Sequence, residues 1–318
     1  MSRPSYCVTG GGGFIGSNLV EALLRSGANV RVVDDFSTGR RSNLAGTAEW
    51  SRSSGGAFEL IEGNVCDPAI AWRVVDGADF VLHQAAMPSV QRSVRDPWAS
   101  NDVNVNGTLN LLLAARDARV RRFVFASSSS IYGESEELPK RESMRRAPIS
   151  PYGLQKLAGE AYCGLFWSLY GLPTVSLRYF NVFGPRQDPG SEYSAVIPKF
   201  IAALRAGEAP SIFGDGEQTR DFTYVANVVR ANLDACAAPP EAFGRAFNIG
   251  CGERISLNRL VEAIGEIAGR EVAARHLDAR AGDIRHSLAS IDAAGEVLGY
   301  QPVVGLREGL ARTWEAFA

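Results

Sequence analysis

Apolar and polar positions along the first half of the chain change period every ten to fifteen residues or so. Short apolar runs at Tyr6–Thr9, Asn29–Val33, Phe58–Ile61, Asp79–Leu82 and Arg122–Ala126 have the length and content of strands. Between them the apolar residues fall three and four apart, as in Ile15, Leu19, Ala22 and Leu23, and again across Asn101–Arg119. Strand and helix patterns in alternation predict an α/β fold of the Rossmann type, a doubly wound parallel sheet. The stretch Phe36–Ala57 breaks the rhythm; polar and rich in Ser, Gly and Arg, it reads as a surface loop with at most a short helix.

Beyond Asn181 the rhythm loosens, and Pro185, Pro189, Pro198 and Pro210 mark turns. We therefore expect a first unit over residues 1–181 and a smaller C-terminal substrate-binding lobe over 182–318. Phe247-Asn248-Ile249-Gly250, near 246–250, reads as a strand returning to the main sheet, so the two units interleave. No internal repeat or low-complexity tract is visible.

Composition narrows the class. The chain has 318 residues, 46% apolar and 21% charged, within the range of soluble globular proteins. A formal net charge of -2 gives no reason to expect nucleic acid or an anionic membrane as partner. Cys7, Cys66, Cys163, Cys236 and Cys251 are odd in number, scattered and without C-x-x-C spacing, which points to buried free thiols in a reducing compartment. With only His83, His276 and His286 beside them, no metal site is expected. With a strand expected from Tyr6, no signal peptide is expected, and no apolar run approaches membrane-spanning length. The expectation is a cytoplasmic soluble protein.

The candidate chemistry begins at Gly10-Gly11-Gly12-Gly13-Phe14-Ile15-Gly16, set between the first strand and the first helix. Glycines at 10, 13 and 16 allow a tight turn, close approach of backbone to a pyrophosphate and close helix packing, and the helix N-terminus favours the anion. Asp34 closes the second strand about 20 residues on, where a carboxylate accepts from ribose hydroxyls and repels a 2′-phosphate. This favours NAD over NADP, although Arg40 and Arg41 follow closely. His83, alone at a strand end, reads as structural. Farther along, Ser150 and Pro151 suit the N-cap and first position of a helix, which places Tyr152 and Lys156 one above the other on one face. An ammonium beside a phenol favours the phenolate, so a lowered Tyr152 pKa and acid–base work are expected. The bland alternative is a surface tyrosine and lysine on an amphipathic helix.

These motifs, taken in order with His83-Gln84-Ala85-Ala86, Asn104-Val105-Asn106-Gly107-Thr108, the serine run Ser127–Ser130 and Arg178-Tyr179-Phe180-Asn181-Val182-Phe183-Gly184-Pro185, resemble the extended short-chain dehydrogenase/reductase family, and within it the NAD-dependent nucleotide-sugar 4-epimerases. The resemblance covers essentially the whole chain. It implies Tyr152 as catalytic acid/base, Lys156 holding the nicotinamide ribose, and Ser128, counted back from Tyr132-Gly133, on the reacting sugar hydroxyl. It implies NAD contacts from Gly10, Gly13, Phe14, Ile15, Gly16, Asp34, Asn64, Val65, Gln84, Ala85, Ala86, Asn104, Tyr152, Lys156 and Tyr179. Asn64 departs from the family's usual aspartate toward adenine, yet an amide still donates and accepts.

For a UDP-sugar the resemblance implies Ser89, Ser128, Ser129, Ser130 and Asn181, backbone of Ala195 and Val196 along the uracil, and diphosphate contacts from Arg220 and Arg280. Ser129 and Ser130 stand where the related 4,6-dehydratases carry Asp-Glu, and small hydroxyls do not supply the carboxyl pair that elimination needs. Ser287 falls where epimerases confined to UDP-glucose and UDP-galactose carry a bulky tyrosine. A serine leaves room at the sugar C2, enough for an N-acetyl group, so UDP-GlcNAc/UDP-GalNAc is expected, with UDP-Glc/UDP-Gal open beside it. UDP-glucuronate 4-epimerase or decarboxylase is the nearest alternative, and a noncatalytic NAD-binding regulatory protein a remote one. Asn101–Arg119 and the helix opening at Pro151 carry apolar residues on more than one side, and family members pair these helices in a homodimer.

Overall fold

The computed structural model describes residues 3–190, 195–279 and 285–317. In chain order the first half contains β1 (Ser5–Thr9), α1 (Phe14–Arg25), β2 (Asn29–Asp34), α2 (Thr47–Ser54), β3 (Phe58–Glu62), α3 (Pro68–Val75), β4 (Phe80–His83), α4 (Val90–Arg95), α5 (Pro97–Asn101), α6 (Gly107–Asp117), β5 (Arg122–Ser128), α7 (Pro151–Tyr170) and β6 (Thr174–Tyr179). The second half adds the short strands β7 (Val182–Phe183), β8 (Ser211–Phe213), β9 (Thr219–Arg220) and β10 (Thr223–Tyr224), then β11 (Arg245–Ile249), β12 (Ile255–Ser256) and β13 (Arg275–Leu277). Its helices are α8 (Val196–Arg205), α9 (Val225–Ala237), α10 (Leu257–Ile267), α11 (Asp292–Leu298) and α12 (Leu306–Ala316).

Among the described residues the main sheet has seven strands in the order β11-β6-β5-β4-β1-β2-β3, every neighbouring pair parallel. This is the Rossmann-type doubly wound sheet, with β11 supplying the returning strand. The strand period of two divides the core between the faces. Val8, Val32, Val124 and Leu177 join one cluster with Leu19 and Leu23 of α1, while Cys7, Val33, Phe123 and Phe125 join another with Leu111 of α6 and Phe166 of α7. Buried on both faces, the inner strands read as continuous apolar runs. A third cluster, including Phe183, Ile197, Phe200, Phe222, Leu260 and Ile264, is built from the second half.

One segment keeps within the sequence reading yet is better anchored than a loop, and a second differs from it. Within Phe36–Ala57, Arg41–Leu44 forms a 3-10 turn and α2 follows for eight residues, with Trp50 only 8% exposed. Here one buried aromatic anchors an otherwise polar segment, and periodicity is too short to reveal it. The helical stretch expected at Asn101 already begins at Pro97, capped by Asp96, and passes through a π-turn at Asp102–Asn106 before α6. The extra residue of a π-turn shifts the apolar phase, which blurs the 3.6-residue pattern. No helix among the described residues is long and apolar enough to cross a membrane, and all five cysteines are free, with Cys7, Cys163 and Cys236 buried.

Candidate active site

The sheet order reverses direction between β1 and β4, and a cleft of about 520 Å³ opens where their carboxyl ends diverge. Its wall includes Gly10, Gly13, Phe14, Ile15, Gly16, Asp34, Asn64, Val65, Gln84, Ala85, Ala86, Ser89, Tyr152, Lys156, Tyr179 and Ala195. Gly10 takes φ +66, and a Cβ there would lie 2.7 Å from the Ala85 nitrogen, so only glycine lets the β1 turn meet the β4 loop this closely. A Cβ on Gly16 would lie 2.1 Å from the Gly10 carbonyl oxygen, which fixes the third glycine by packing.

The residues present fit a dinucleotide. Helix α1 begins behind Gly13 with no side-chain cap, so its first N–H groups are available to an anion. Asp34 ends β2 and accepts from the backbone N–H of Gly12 and of Phe36, both at 2.8 Å. Burial raises its pKa, against the lowering by those N–H groups. Arg40 is paired with Asp188 at 2.6 Å and Arg41 with Glu62. Both guanidiniums near Asp34 are therefore engaged by carboxylates, as suits NAD. Asn64 donates to Asp35 at 3.0 Å and accepts from the Cys66 N–H at 2.8 Å.

The floor under the cleft is a set of closed polar links. His83 bridges Thr9 (2.7 Å) and Thr108 (2.9 Å), and the Thr108 hydroxyl donates to the Asn104 carbonyl. The ring must then donate from Nε2 and accept at Nδ1 from Thr9, whose oxygen also takes the Ala85 N–H at 3.1 Å. Burial, with Lys156 adding to it, pushes the His83 pKa down to about 3, so the imidazole stays neutral. Gln84, Asn232 and Tyr179 close a second ring of side-chain hydrogen bonds. Asn104 departs from its expected place: it is 1% exposed, and its amide binds Met87 backbone and Gln155. It holds the β4 loop, and the neighbouring Val103 lines the cleft instead.

Helix α7 brings the acid–base candidates to the cleft. Ser150 caps it by accepting from the Gly153 N–H at 3.1 Å, Pro151 follows at the first position, and Gly171 ends it in the left-handed conformation. Tyr152 keeps part of its surface open to the cleft, with the Ser128 side chain near enough to lower its pKa. Lys156 is 3% exposed and donates to the Ala126 carbonyl at 2.9 Å. The sequence reading of a lowered phenol pKa is reversed. Burial raises Tyr152 to about 12, against the lowering by Ser128, and burial pushes Lys156 down to about 8. The ammonium lies 5.8 Å from the Tyr152 ring centroid, too far and too desolvated itself to dominate.

Ser129 and Ser130 sit in the 3-10 turn after β5; the Ser130 N–H donates to the Ser128 oxygen, while the buried Ser130 hydroxyl has no hydrogen-bond partner among the described residues. Asn181, Arg220 and Ser287 lie outside the cleft wall and are gathered around β9. Asn181 donates to the Asp221 carbonyl (3.1 Å), Arg220 donates to the Thr219 carbonyl (2.9 Å), and the Ser287 N–H donates to that same Thr219 carbonyl (3.0 Å). Asp221, fully buried, joins this group by accepting from the N–H of Cys251, Gly252 and Ala289. Val196 opens α8 directly after Ala195. Arg280 lies outside the described residues.

Sequence reasoning missed a clasp over the glycine turn. Arg186 donates to Asn18 at 2.6 Å and to Glu21 at 2.8 Å, and Asn18 donates to the Pro185 carbonyl. It also missed Ser127 and Glu160. Glu160 stands four residues after Lys156, a spacing that extends the Tyr152/Lys156 face and was available as a signal.

A family model described as the NAD dependent epimerase/dehydratase family matches residues 6–250. The chain is 41% identical over 312 residues to a UDP-glucose 4-epimerase of Mycolicibacterium smegmatis, covering 98% of this chain and 97% of the relative. A solved UDP-N-acetylglucosamine 4-epimerase from Methanobrevibacter ruminantium, in complex with UDP-N-acetylmuramic acid, is similar at a TM-score of 0.92 and 38% identity, covering 100% of this chain and 99% of that one. A UDP-glucose 4-epimerase from Thermotoga maritima with UDP-glucose is similar at a TM-score of 0.91 and 38% identity, covering 98% of each chain.

Proposed function

The chain belongs to the NAD dependent epimerase/dehydratase family, and we propose that it inverts C4 of a UDP-hexose, acting on UDP-GlcNAc/UDP-GalNAc and accepting UDP-Glc/UDP-Gal as well. The observation that carries this reading is the Tyr152 phenol, set beside Ser128 and open to a cleft that starts at an uncapped, glycine-flanked helix N-terminus. NAD, which Gly10, Gly13, Asp34 and Lys156 would hold in the cleft, would supply a reversible hydride acceptor for C4 and a positive charge.

The protein's own residues handle the proton and the substrate. Tyr152 takes the 4-OH proton, through or alongside Ser128, and gives one back after the 4-keto sugar has turned its other face. With the phenol pushed up to about 12, an added positive charge is what brings it into working range. Lys156 holds the nicotinamide ribose, and the clasp of Asn18, Glu21 and Arg186 keeps the cofactor in place between cycles. Arg220 grips the diphosphate with a planar fork, so that the nucleotide stays fixed while the sugar rotates. The idle Ser130 hydroxyl suits a sugar oxygen. At C2 the deciding residue is Ser287, whose small side chain leaves the volume an acetamido group needs.

Incubation with UDP-GlcNAc, UDP-glucose and UDP-glucuronate, followed by NMR of the products, tests the assignment. C4 epimers from the first two, with no decarboxylated or dehydrated product, are expected; steady NADH accumulation would sink it.

A second copy of the chain is the proposed partner. Leu154, Leu165 and Leu169 of α7 are 58%, 50% and 66% exposed, and Val94 and Trp98 beside them reach 63% and 86%. An apolar stripe of this size on three adjoining helical segments is covered in stable proteins. The solution mass is expected to be twice that of one chain; a monomeric mass at micromolar concentration contradicts it.

A further inference from the structure

Three consecutive residues at the end of β5 each meet a different residue of α7. Lys156 donates to the Ala126 carbonyl at 2.9 Å, the Ser127 hydroxyl donates to Glu160 at 2.5 Å, and Ser128 sits beside Tyr152, whose pKa it lowers. Tyr152, Lys156 and Glu160 are spaced four apart, so one helix face supplies all three links. The face lies close to the strand because Gly159 has no side chain: a Cβ there would sit 2.3 Å from the Phe125 ring.

Glu160 differs from the other two in being anchored from behind. Arg178 of β6 meets it with two parallel bonds, Nε to Oε1 and a terminal nitrogen to Oε2, both 2.9 Å, with side chains 2% and 4% exposed. The other side of Arg178 donates to the Tyr132 hydroxyl at 2.7 Å, and Tyr132 donates to Asn248 of β11 at 2.7 Å. Glu160 thereby ties α7 to β5, β6, β11 and the turn that follows Ser128. A bidentate, buried pair has one geometry, whereas a lone hydroxyl link tolerates several.

We propose that Glu160, locked by Arg178 and gripping Ser127, is a positioning residue that sets the approach of the Ser128 hydroxyl to the Tyr152 phenol. This inference rests on the acid–base reading of Tyr152 and Ser128 given above. It explains why a carboxylate with no contact to the cleft is built into the same helix face, one turn below Lys156.

Glu160→Ala leaves the Arg178 charge buried and unpaired, and such a variant can fail to fold for that reason alone. Ser127→Ala removes only the hydroxyl link and leaves the ion pair intact, so it is the decisive variant. In the NAD-loaded enzyme, Ser127→Ala is expected to keep its melting temperature within a few degrees and its KM within about twofold, while kcat falls about tenfold or more. Because Ser128 beside the phenol lowers the Tyr152 pKa, letting it move away raises that pKa, and the limb on which turnover rises with pH moves to higher pH. Wild-type kcat with an unshifted profile overturns the proposal, as does a lower kcat without any shift. Tyr152→Phe, assayed alongside, separates the two levels of the argument. If Tyr152→Phe is inactive and Ser127→Ala is wild type, only the positioning role fails; if Tyr152→Phe turns over normally, the acid–base reading fails and takes the positioning role with it.

Discussion

Tyr152→Phe is expected to lower turnover by about three orders of magnitude while the protein retains its NAD. Positioned acid–base groups contribute roughly 10²–10⁴ to rate, and Tyr152 is the phenol placed to exchange a proton in the cleft. The substitution keeps the aromatic ring that packs at the head of α7, and it leaves Lys156 bonded to the Ala126 carbonyl. The contacts expected to hold the dinucleotide lie at Gly10, Gly13, Asp34 and Lys156, so absorbance of bound cofactor in the purified variant should match wild type. Single-turnover assays with NMR detection of the product give the rate. A variant within tenfold of wild type would move the acid–base role to another residue.

Ser287→Tyr should separate the two substrate classes. We expect kcat/KM for UDP-GlcNAc to fall about a hundredfold, the upper range for steric discrimination by a pocket, with UDP-glucose changed only a few fold. The segment has little freedom to relieve the added bulk. The Ser287 N–H is bonded to the Thr219 carbonyl, His286 to the Thr219 hydroxyl at 2.9 Å, and Arg285 bidentately to Asp215 at 2.7 and 3.0 Å. Competition between the two substrates in one tube measures the ratio directly. A ratio equal to wild type would mean that the C2 substituent lies elsewhere.

Much of the scaffold was legible because its signals are local. A parallel sheet buried on both faces writes itself as apolar runs, and the turn at Gly10–Gly16 follows from the need for backbone at close quarters. Tyr152 and Lys156 were readable from Ser150-Pro151, which sets the helix start and therefore the shared face. The π-turn at Asp102–Asn106 and the anchoring of α2 by Trp50 were not, because each depends on tertiary packing that one segment does not encode.

The site itself was legible as a set of positions and less so as chemistry. Spacing put a cation four residues from the phenol, but only burial reveals that both groups are pushed toward neutrality, to about 12 and about 8. Asn104 was placed against the cofactor on resemblance, whereas its amide is spent on Met87 and Gln155. Glu160 belongs to the same face as Tyr152 and Lys156, yet its meaning comes from Arg178, a residue of strand β6 18 positions on. Long-range pairings of this kind leave no periodic trace.

The central claim is that C4 loses and regains one hydride within the cleft, with only a proton passing through Tyr152. Epimerisation of UDP-GlcNAc run in heavy water tests it most directly, with the C4 proton followed by NMR in both substrate and product. Full retention of that proton, with no deuterium at C4 and no free NADH, is the expected result; deuterium appearing at C4 as the epimer forms would contradict it.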